Sequence, residues 1–278
     1  MTVTPWATTV HRIRRIGELH TFFMTMSKLT PLPDFEKPIV HETALAKSMV
    51  FSDVDIQSRM SVARPDELQF EYTRLMMGVL LFQPQPQRIL MVGLGGGSLA
   101  KFCYKHLPAA HITVVEINPH VIALRHHFCI PDDDARFQVV QMDAADFMAQ
   151  TEQTFDVVFV DGFDQHGMPE QLCSPQFYAD CRRVLHQGGV AVANLHRFHA
   201  YRDVYVDRID AAFGHQLCIV NAPGTTNCVV FAMHGVLKKQ SFTFSKHKPA
   251  HLSDEAWTQI SPSVARVFLE MQKATNDA

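Results

Sequence analysis

The sequence predicts an α/β fold: a seven-stranded, mostly parallel sheet with helices on both faces, a terminal antiparallel hairpin and a small β-rich N-terminal unit. Three observations predict it. From residue 88 onward, short apolar runs alternate with segments of helical period, the pattern of strands joined by crossover helices. The first of these runs leads straight into a glycine cluster, where a doubly wound sheet turns from strand to helix. The last two runs, 216–220 and 228–233, are joined by too few residues for a parallel crossover, so they pair antiparallel.

The elements follow in order. Residues 1–40 contain Pro31, Pro33 and Pro38, which interrupt regular structure and predict a loosely organised arm with one short helix at most. Residues 48–51 and 55–62 alternate roughly, with Asp and Ser between them, and predict short strands joined by a turn. Pro65 opens a predicted helix in which Leu68, Tyr72, Leu75, Met76 and Val79 recur at helical spacing. Residues 88–92 form the first parallel strand, and Leu99, Phe102, Cys103 and Leu107 the apolar face of the helix after it. Strands over 112–115, 137–140 and 155–160 follow, separated by a helix from Pro119 and a short one over 143–148. Ser174-Pro175 caps and starts another helix. Gly188-Gly189 predicts a turn into a fifth strand over 190–192, and Ser261-Pro262 the start of a C-terminal helix. These signals divide the chain into an arm with short strands (1–64), the α/β domain (65–240) and a helical tail (241–278).

Composition narrows the function. The 278 residues carry a net charge of -3 and are 47% hydrophobic, which is globular composition. Near-neutral balance argues against charge-driven nucleic-acid binding. No apolar run approaches the length of a membrane span. The six cysteines form no CxxC pair and read as reduced thiols, with a cytoplasmic location expected. Sixteen histidines offer no HExxH and no Cys/His quartet, so no metal is expected. Neither a GxSxG elbow nor a P-loop is present.

The chemistry concentrates at predicted strand ends. Gly93-Leu94-Gly95-Gly96-Gly97-Ser98 follows the first parallel strand, and glycine there lets backbone turn tightly and approach a ligand. The GxGxxG dinucleotide fingerprint would need Gly or Ala at 98, where Ser98 stands. Glu116 ends the second strand, 21 residues after Gly95, where a carboxylate accepts ribose hydroxyls. Asp143 ends the third strand, and two readings stay open: a contact to an adenine amino group, or an N-cap. The fourth strand ends in Asp161-Gly162-Phe163-Asp164. Two carboxylates there favour a cationic partner, and one can take the proton of an attacking amine.

The hairpin ending fits the Rossmann-like seven-stranded sheet of class I S-adenosylmethionine-dependent transferases. Within that class the chain resembles the spermidine synthase (polyamine aminopropyltransferase) family over residues 48–235. The resemblance rests on Ile89-Leu90-Met91-Val92-Gly93-Leu94-Gly95-Gly96-Gly97, Val114-Val115-Glu116-Ile117-Asn118, Gln141-Met142-Asp143-Ala144 and Phe155-Asp156-Val157-Val158-Phe159-Val160-Asp161. It continues in Ser174-Pro175-Gln176-Phe177-Tyr178 and Leu185-His186-Gln187-Gly188-Gly189-Val190. It implies an aminopropyl transfer from decarboxylated S-adenosylmethionine to a small-molecule amine, and assembly through the N-terminal strands, where the family forms dimers or tetramers and a homodimer is the expectation here. Gly93, Gly95, Gly96 and Gly97 would hold the methionine part of the nucleoside, Glu116 the ribose, and Asp143 with Ala144 the adenine. Asp161 would be the catalytic acid/base, Asp164 a substrate carboxylate, and Gln57 the glutamine that reaches in from the N-terminal strands.

Three single positions and one gate segment depart from the family pattern. Ser98 replaces the loop aspartate, Asn118 the aspartate after the second strand, and Gln165 the proline of the segment after Asp161. The Tyr-His-Glu gate is altered: either Phe70, Glu71 and Tyr72 occupy it, or Tyr72 is the gate tyrosine followed by Thr73 and Arg74. Two other functions are carried with these departures: methyl transfer from S-adenosylmethionine on the same fold, and nucleoside binding without catalysis.

Overall fold

The computed structural model describes residues 35–51, 56–163, 167–235 and 248–276. The predicted arm, up to residue 34, lies outside the described residues, as do Asp164 and Gln165. The sheet order is β6-β5-β4-β7-β8-β10-β9, built from β4 (Arg88–Val92), β5 (His111–Glu116), β6 (Phe137–Gln141), β7 (Phe155–Val160), β8 (Leu185–His196), β9 (Leu217–Asn221) and β10 (Asn227–Met233). Strands β6, β5, β4, β7 and β8 run parallel, and β10 is antiparallel to both β8 and β9. A separate antiparallel sheet of β1 (Ile39–Glu42), β2 (Ala46–Val50) and β3 (Ile56–Ser61) precedes it.

Period-two alternation places a core on each face of the large sheet. Ile89, Met91, Val157, Phe159, Val192 and Phe231 pack on one side. That side is covered by α1 (Glu71–Met76), a 3₁₀ turn (Met77–Leu81), α2 (Ser98–His106), α3 (Pro119–Ala123) and the C-terminal helix. Leu90, Val92, Val158, Val160, Ala191 and Ala193 face α4 (Ala144–Gln150), α5 (Pro175–Arg183) and α6 (Arg202–Phe213) on the other. Ser174 caps α5 by accepting the Phe177 amide at 3.1 Å, as its Ser-Pro pair predicts.

Three boundaries differ from the sequence reading. The helix expected from Pro65 begins only at Glu71; Leu68 is fully buried, but its amide donates to the Gln259 side chain rather than to a helical carbonyl. Gly188-Gly189 does not separate two elements. Strand β8 runs through them, with Phe155 opposite Leu185 and Val157 opposite Val190, so the extra residues form a bulge. Gly188 takes φ +87° there and its amide bonds to the His234 carbonyl, a conformation glycine adopts without strain. The C-terminal helix, α7 (Asp254–Asn276), starts ahead of Ser261-Pro262 and carries Pro262 inside it. Ser253 caps it, its Oγ accepting the Ala256 amide at 3.0 Å. Among the described residues, no helix is long and apolar enough to cross a membrane.

Candidate active site

The sheet order puts β4 at the point where the chain reverses direction across the sheet: β5 and β6 lie to one side, β7 and β8 to the other. Ligands of open α/β sheets bind outside the carboxyl ends of the strands at this point. Asp143, Glu116, Gly93 and Asp161 all stand at those ends, on four adjacent strands. Direct bonds tie them together: the Gly93 amide donates to the Val115 carbonyl at 2.9 Å, the Asp161 amide to the Val92 carbonyl at 3.0 Å, and the Met142 amide to the Glu116 carbonyl at 3.1 Å.

The glycine turn is shaped by its neighbours. Gly93 has φ +91°, and a Cβ there would lie 2.5 Å from the Asp161 carbonyl oxygen. Glycine is therefore required both by conformation and by the closeness of β7. A Cβ on Gly96 would meet Ser58 Oγ at 2.5 Å and Phe128 at 3.0 Å, and one on Gly97 would meet Ile130 at 2.5 Å. Gly97, at φ +67°, precedes α2. Ser58 of β3 is thus the N-terminal residue that packs on the loop, a contact sequence reasoning missed. Gln57, half-buried, is its neighbour on β3, and alternation puts its side chain on the opposite face. Gly93 and Gly95 keep partial exposure, whereas Gly96 and Gly97 are packed in.

Glu116 is 9% exposed. Its carboxylate accepts the Leu94 amide at 2.9 Å and the Asn118 amide at 2.8 Å, so it braces the glycine turn and the segment after β5 together. Burial pushes its carboxyl above the ordinary range, and hydrogen bonds from the backbone of Asn118, Leu94, Ile117 and Gly95 oppose that rise. Asp143 caps α4, accepting the Ala145 amide at 2.7 Å, and its other oxygen accepts from Gln171 at 3.3 Å. The capping half of its two readings is therefore realised. Ala144 beside it is buried.

Asp161 is half-buried and accepts the Asn194 Nδ2 donor at 2.8 Å. The Tyr72 hydroxyl of α1 also donates to it. Burial raises the Asp161 carboxyl above the usual range, while the Asn194 and Tyr72 donors pull it back. Tyr72 in turn is held well above its ordinary value by burial, then by the Asp161 charge and the bond to it. Of the two gate alignments, both of which include Tyr72, the geometry brings Tyr72 itself onto Asp161. Asn194 escaped the sequence reading, although a signal was present: it breaks the apolar face of Val190 and Val192 at the next inward position of β8.

Other clusters stand apart. Past the tip of β8, Arg197, Phe198, His199, Arg202, Asp203 and Asn221 line a cavity of about 340 Å³. It includes none of the strand-end acids. Among the described residues, Asp66, His106 and Glu255 gather closely enough to hold a metal. They sit around the C-terminal end of α2, away from the glycine turn, and Lys105 Nζ already bridges Asp66 at 2.8 Å and Glu255 at 2.9 Å.

With this geometry in place, the comparisons decide the family. The model of the spermine/spermidine synthase domain matches residues 69–249. The chain belongs to the spermine/spermidine synthase family. A polyamine aminopropyltransferase of Neisseria meningitidis serogroup A is 32% identical over 217 residues, covering 77% of this chain and 82% of the relative. A probable spermidine synthase from Corynebacterium glutamicum superposes with a TM-score of 0.61 at 21% identity, over 70% of this chain and 76% of that one. A spermidine synthase in complex with the transition-state analogue AdoDATO superposes with a TM-score of 0.55 at 17% identity, over 82% and 88%. These two structures agree with the fold. Membership of the spermine/spermidine synthase family makes the chain a transferase.

Proposed function

We propose that this chain transfers an aminopropyl group from decarboxylated S-adenosylmethionine to a small-molecule amine in polyamine biosynthesis, with Asp161 as the proton acceptor. The observation that carries the assignment of Asp161 is its setting. It stands at the tip of β7 against the glycine turn, and Tyr72 and Asn194 donate to it from two other elements. When bound, the nucleoside supplies an activated carbon beside its sulfonium sulfur, from which the amine displaces a thioether.

The chain's own groups supply position and the proton path. Gly93 and Gly95, which keep partial exposure, border the methionine part of the nucleoside, and Gly96 and Gly97, packed against Ser58, Phe128 and Ile130, hold the turn that presents them. Glu116 binds the ribose with lone pairs it does not give to the loop amides, and Asp143 with Ala144 borders the adenine. The attacking amine must be neutral, so a carboxylate that takes its proton as the new C–N bond forms lowers the barrier. Tyr72 and Asn194 aim that carboxylate and favour its charged form against the desolvation it suffers. Asp164 acts as a second anionic contact for the amine. No residue of the proposed path requires a metal.

The test is turnover by the Asp161→Asn variant, followed as 5′-methylthioadenosine formed from decarboxylated S-adenosylmethionine and a diamine. A positioned base contributes about 10²- to 10⁴-fold, so kcat falls by that factor while nucleoside affinity holds. Unchanged kcat would remove Asp161 from the mechanism.

A further inference from the structure

The Asn194 amide that touches Asp161 is itself held by a second amide. Asn227 Nδ2 donates to Asn194 Oδ1 at 3.0 Å, and Asn194 Nδ2 donates onward to Asp161 Oδ1 at 2.8 Å. Register explains the alignment. On β10, Asn227 lies opposite His196 of β8, and Asn194 lies opposite Val229. Asn227 and Asn194 therefore share one face of the sheet, the face of Val229, Phe231 and Val192. Asn194 is 2% exposed. A side-chain amide at that depth needs both its halves satisfied. Asn227 is itself anchored by its backbone, which donates to Thr225 Oγ1 at 3.2 Å and accepts the Ala222 amide at 3.0 Å.

We propose that Asn227 is a positioning residue for the transfer reaction, acting through Asn194 to keep a hydrogen-bond donor on Asp161. This rests on the reading of Asp161 as proton acceptor. Asn194 has two orientations. In one, its NH₂ meets the carboxylate and its oxygen meets the Asn227 donor. In the other, oxygen faces carboxylate and donor faces donor, so both contacts turn repulsive. The Asn227 donor thus selects the orientation in which Asp161 is supported as an anion, and chained amides polarise one another in the same direction. Among the described residues, the other group donating to Asp161 is Tyr72 of α1. On α1 the charged neighbours of Tyr72, Glu71 and Arg74, pair with each other at 3.3 Å. On β8 the titratable neighbour His196 packs on Phe163, ring centroids 5.0 Å apart.

Three variants of the full chain test the relay: Asn227→Ala removes the donor, Asn227→Asp reverses it, and Asn227→Gln keeps it. The first readout is 5′-methylthioadenosine formation from decarboxylated S-adenosylmethionine and putrescine across the pH range. Asn227→Ala lowers kcat about tenfold, with KM for the nucleoside unchanged and the acid limb of the pH profile moved to higher pH. Asn227→Asp does both more strongly, because its carboxylate turns the Asn194 oxygen toward Asp161. Asn227→Gln restores the limb. The second readout needs no turnover: the Asp161 carboxyl is titrated by ¹³C NMR, assigned by its loss in Asp161→Asn. An upward shift of that titration in Asn227→Ala and Asn227→Asp supports the relay even if the wild-type chain transfers nothing, an outcome that would fall on the proposed function alone. An Asp161 titration identical in all three variants overturns the relay, as does a loss of kcat with the acid limb unmoved.

Discussion

Replacing Glu116 with Gln separates its bracing of the glycine turn from the ribose contact proposed for it. The carboxylate now accepts the Leu94 amide at 2.9 Å on one oxygen and the Asn118 amide at 2.8 Å on the other. A glutamine has one acceptor oxygen, so one of those amides comes to face an NH₂ group. A buried amide left unpaired costs about 1–3 kcal/mol. Removing a desolvated charge returns part of that, since burial is the leading influence on this carboxyl. The free protein should therefore lose roughly 1–2 kcal/mol, read by urea unfolding. The proposed ribose contact is a separate loss. A hydrogen bond to a charged group contributes about 1.5–3 kcal/mol, so affinity for 5′-methylthioadenosine should drop roughly 10- to 100-fold in calorimetry. Loop damage alone would weaken every nucleoside alike, so the decisive comparison uses 2′-deoxy-5′-methylthioadenosine. Wild type should bind the ribonucleoside more tightly, and Glu116→Gln should bind the two equally. Retained discrimination in the variant would refute the ribose assignment.

Other perturbations read other parts of the site. Gly93→Ala forces a side chain into φ +91° and 2.5 Å from the Asp161 carbonyl oxygen; it should lower stability by roughly 2–4 kcal/mol and reduce turnover, measured by denaturant melts and product formation. Tyr72→Phe removes one donor from Asp161 and should move the acid limb of kcat upward, with unfolding free energy at neutral pH falling by about 1.4 kcal/mol for each unit of that move. Lys101 is 4% exposed and donates to the Phe128 carbonyl at 2.7 Å, and burial lowers its ammonium from 10.5 to about 8. The folded chain therefore binds fewer protons than the unfolded one between those values, and wild-type stability gains about 3 kcal/mol as pH rises through them. Lys101→Met should lack that gain, so the wild-type-minus-variant difference in unfolding free energy should climb between about pH 8 and pH 10.5; a flat difference would contradict the burial argument.

Much of the sheet was legible because its signals are local. Apolar runs bounded by Gly93, Glu116 and Asp161 mark strand ends, and strand ends are where an α/β sheet places ligands. The parallel order then brings those ends together without further information. What was illegible depends on partners distant in sequence. Pro65 reads as a helix start, yet Gln259 captures the Leu68 amide and the helix waits until Glu71. Gly188-Gly189 reads as a turn, yet pairing with β7 and the His234 carbonyl absorbs it as a bulge. Ser58 on the glycine loop, and the Asn227–Asn194–Asp161 chain, arise from packing between separate sheets and from antiparallel register. Asp143 shows the intermediate case: its capping bonds follow from the sequence next to it, but Gln171 on its second oxygen does not.

The central claim is that the β4–β7 crevice directs an amine onto the aminopropyl carbon of a sulfonium nucleoside. Purified chain should be supplied with decarboxylated S-adenosylmethionine and, separately, with S-adenosylmethionine, each against a panel of diamines, with both thioether products quantified. The account predicts 5′-methylthioadenosine, in one-to-one amount with an aminopropylated amine, from the decarboxylated co-substrate. S-adenosylhomocysteine with a methylated amine, or neither product with any amine, would contradict it.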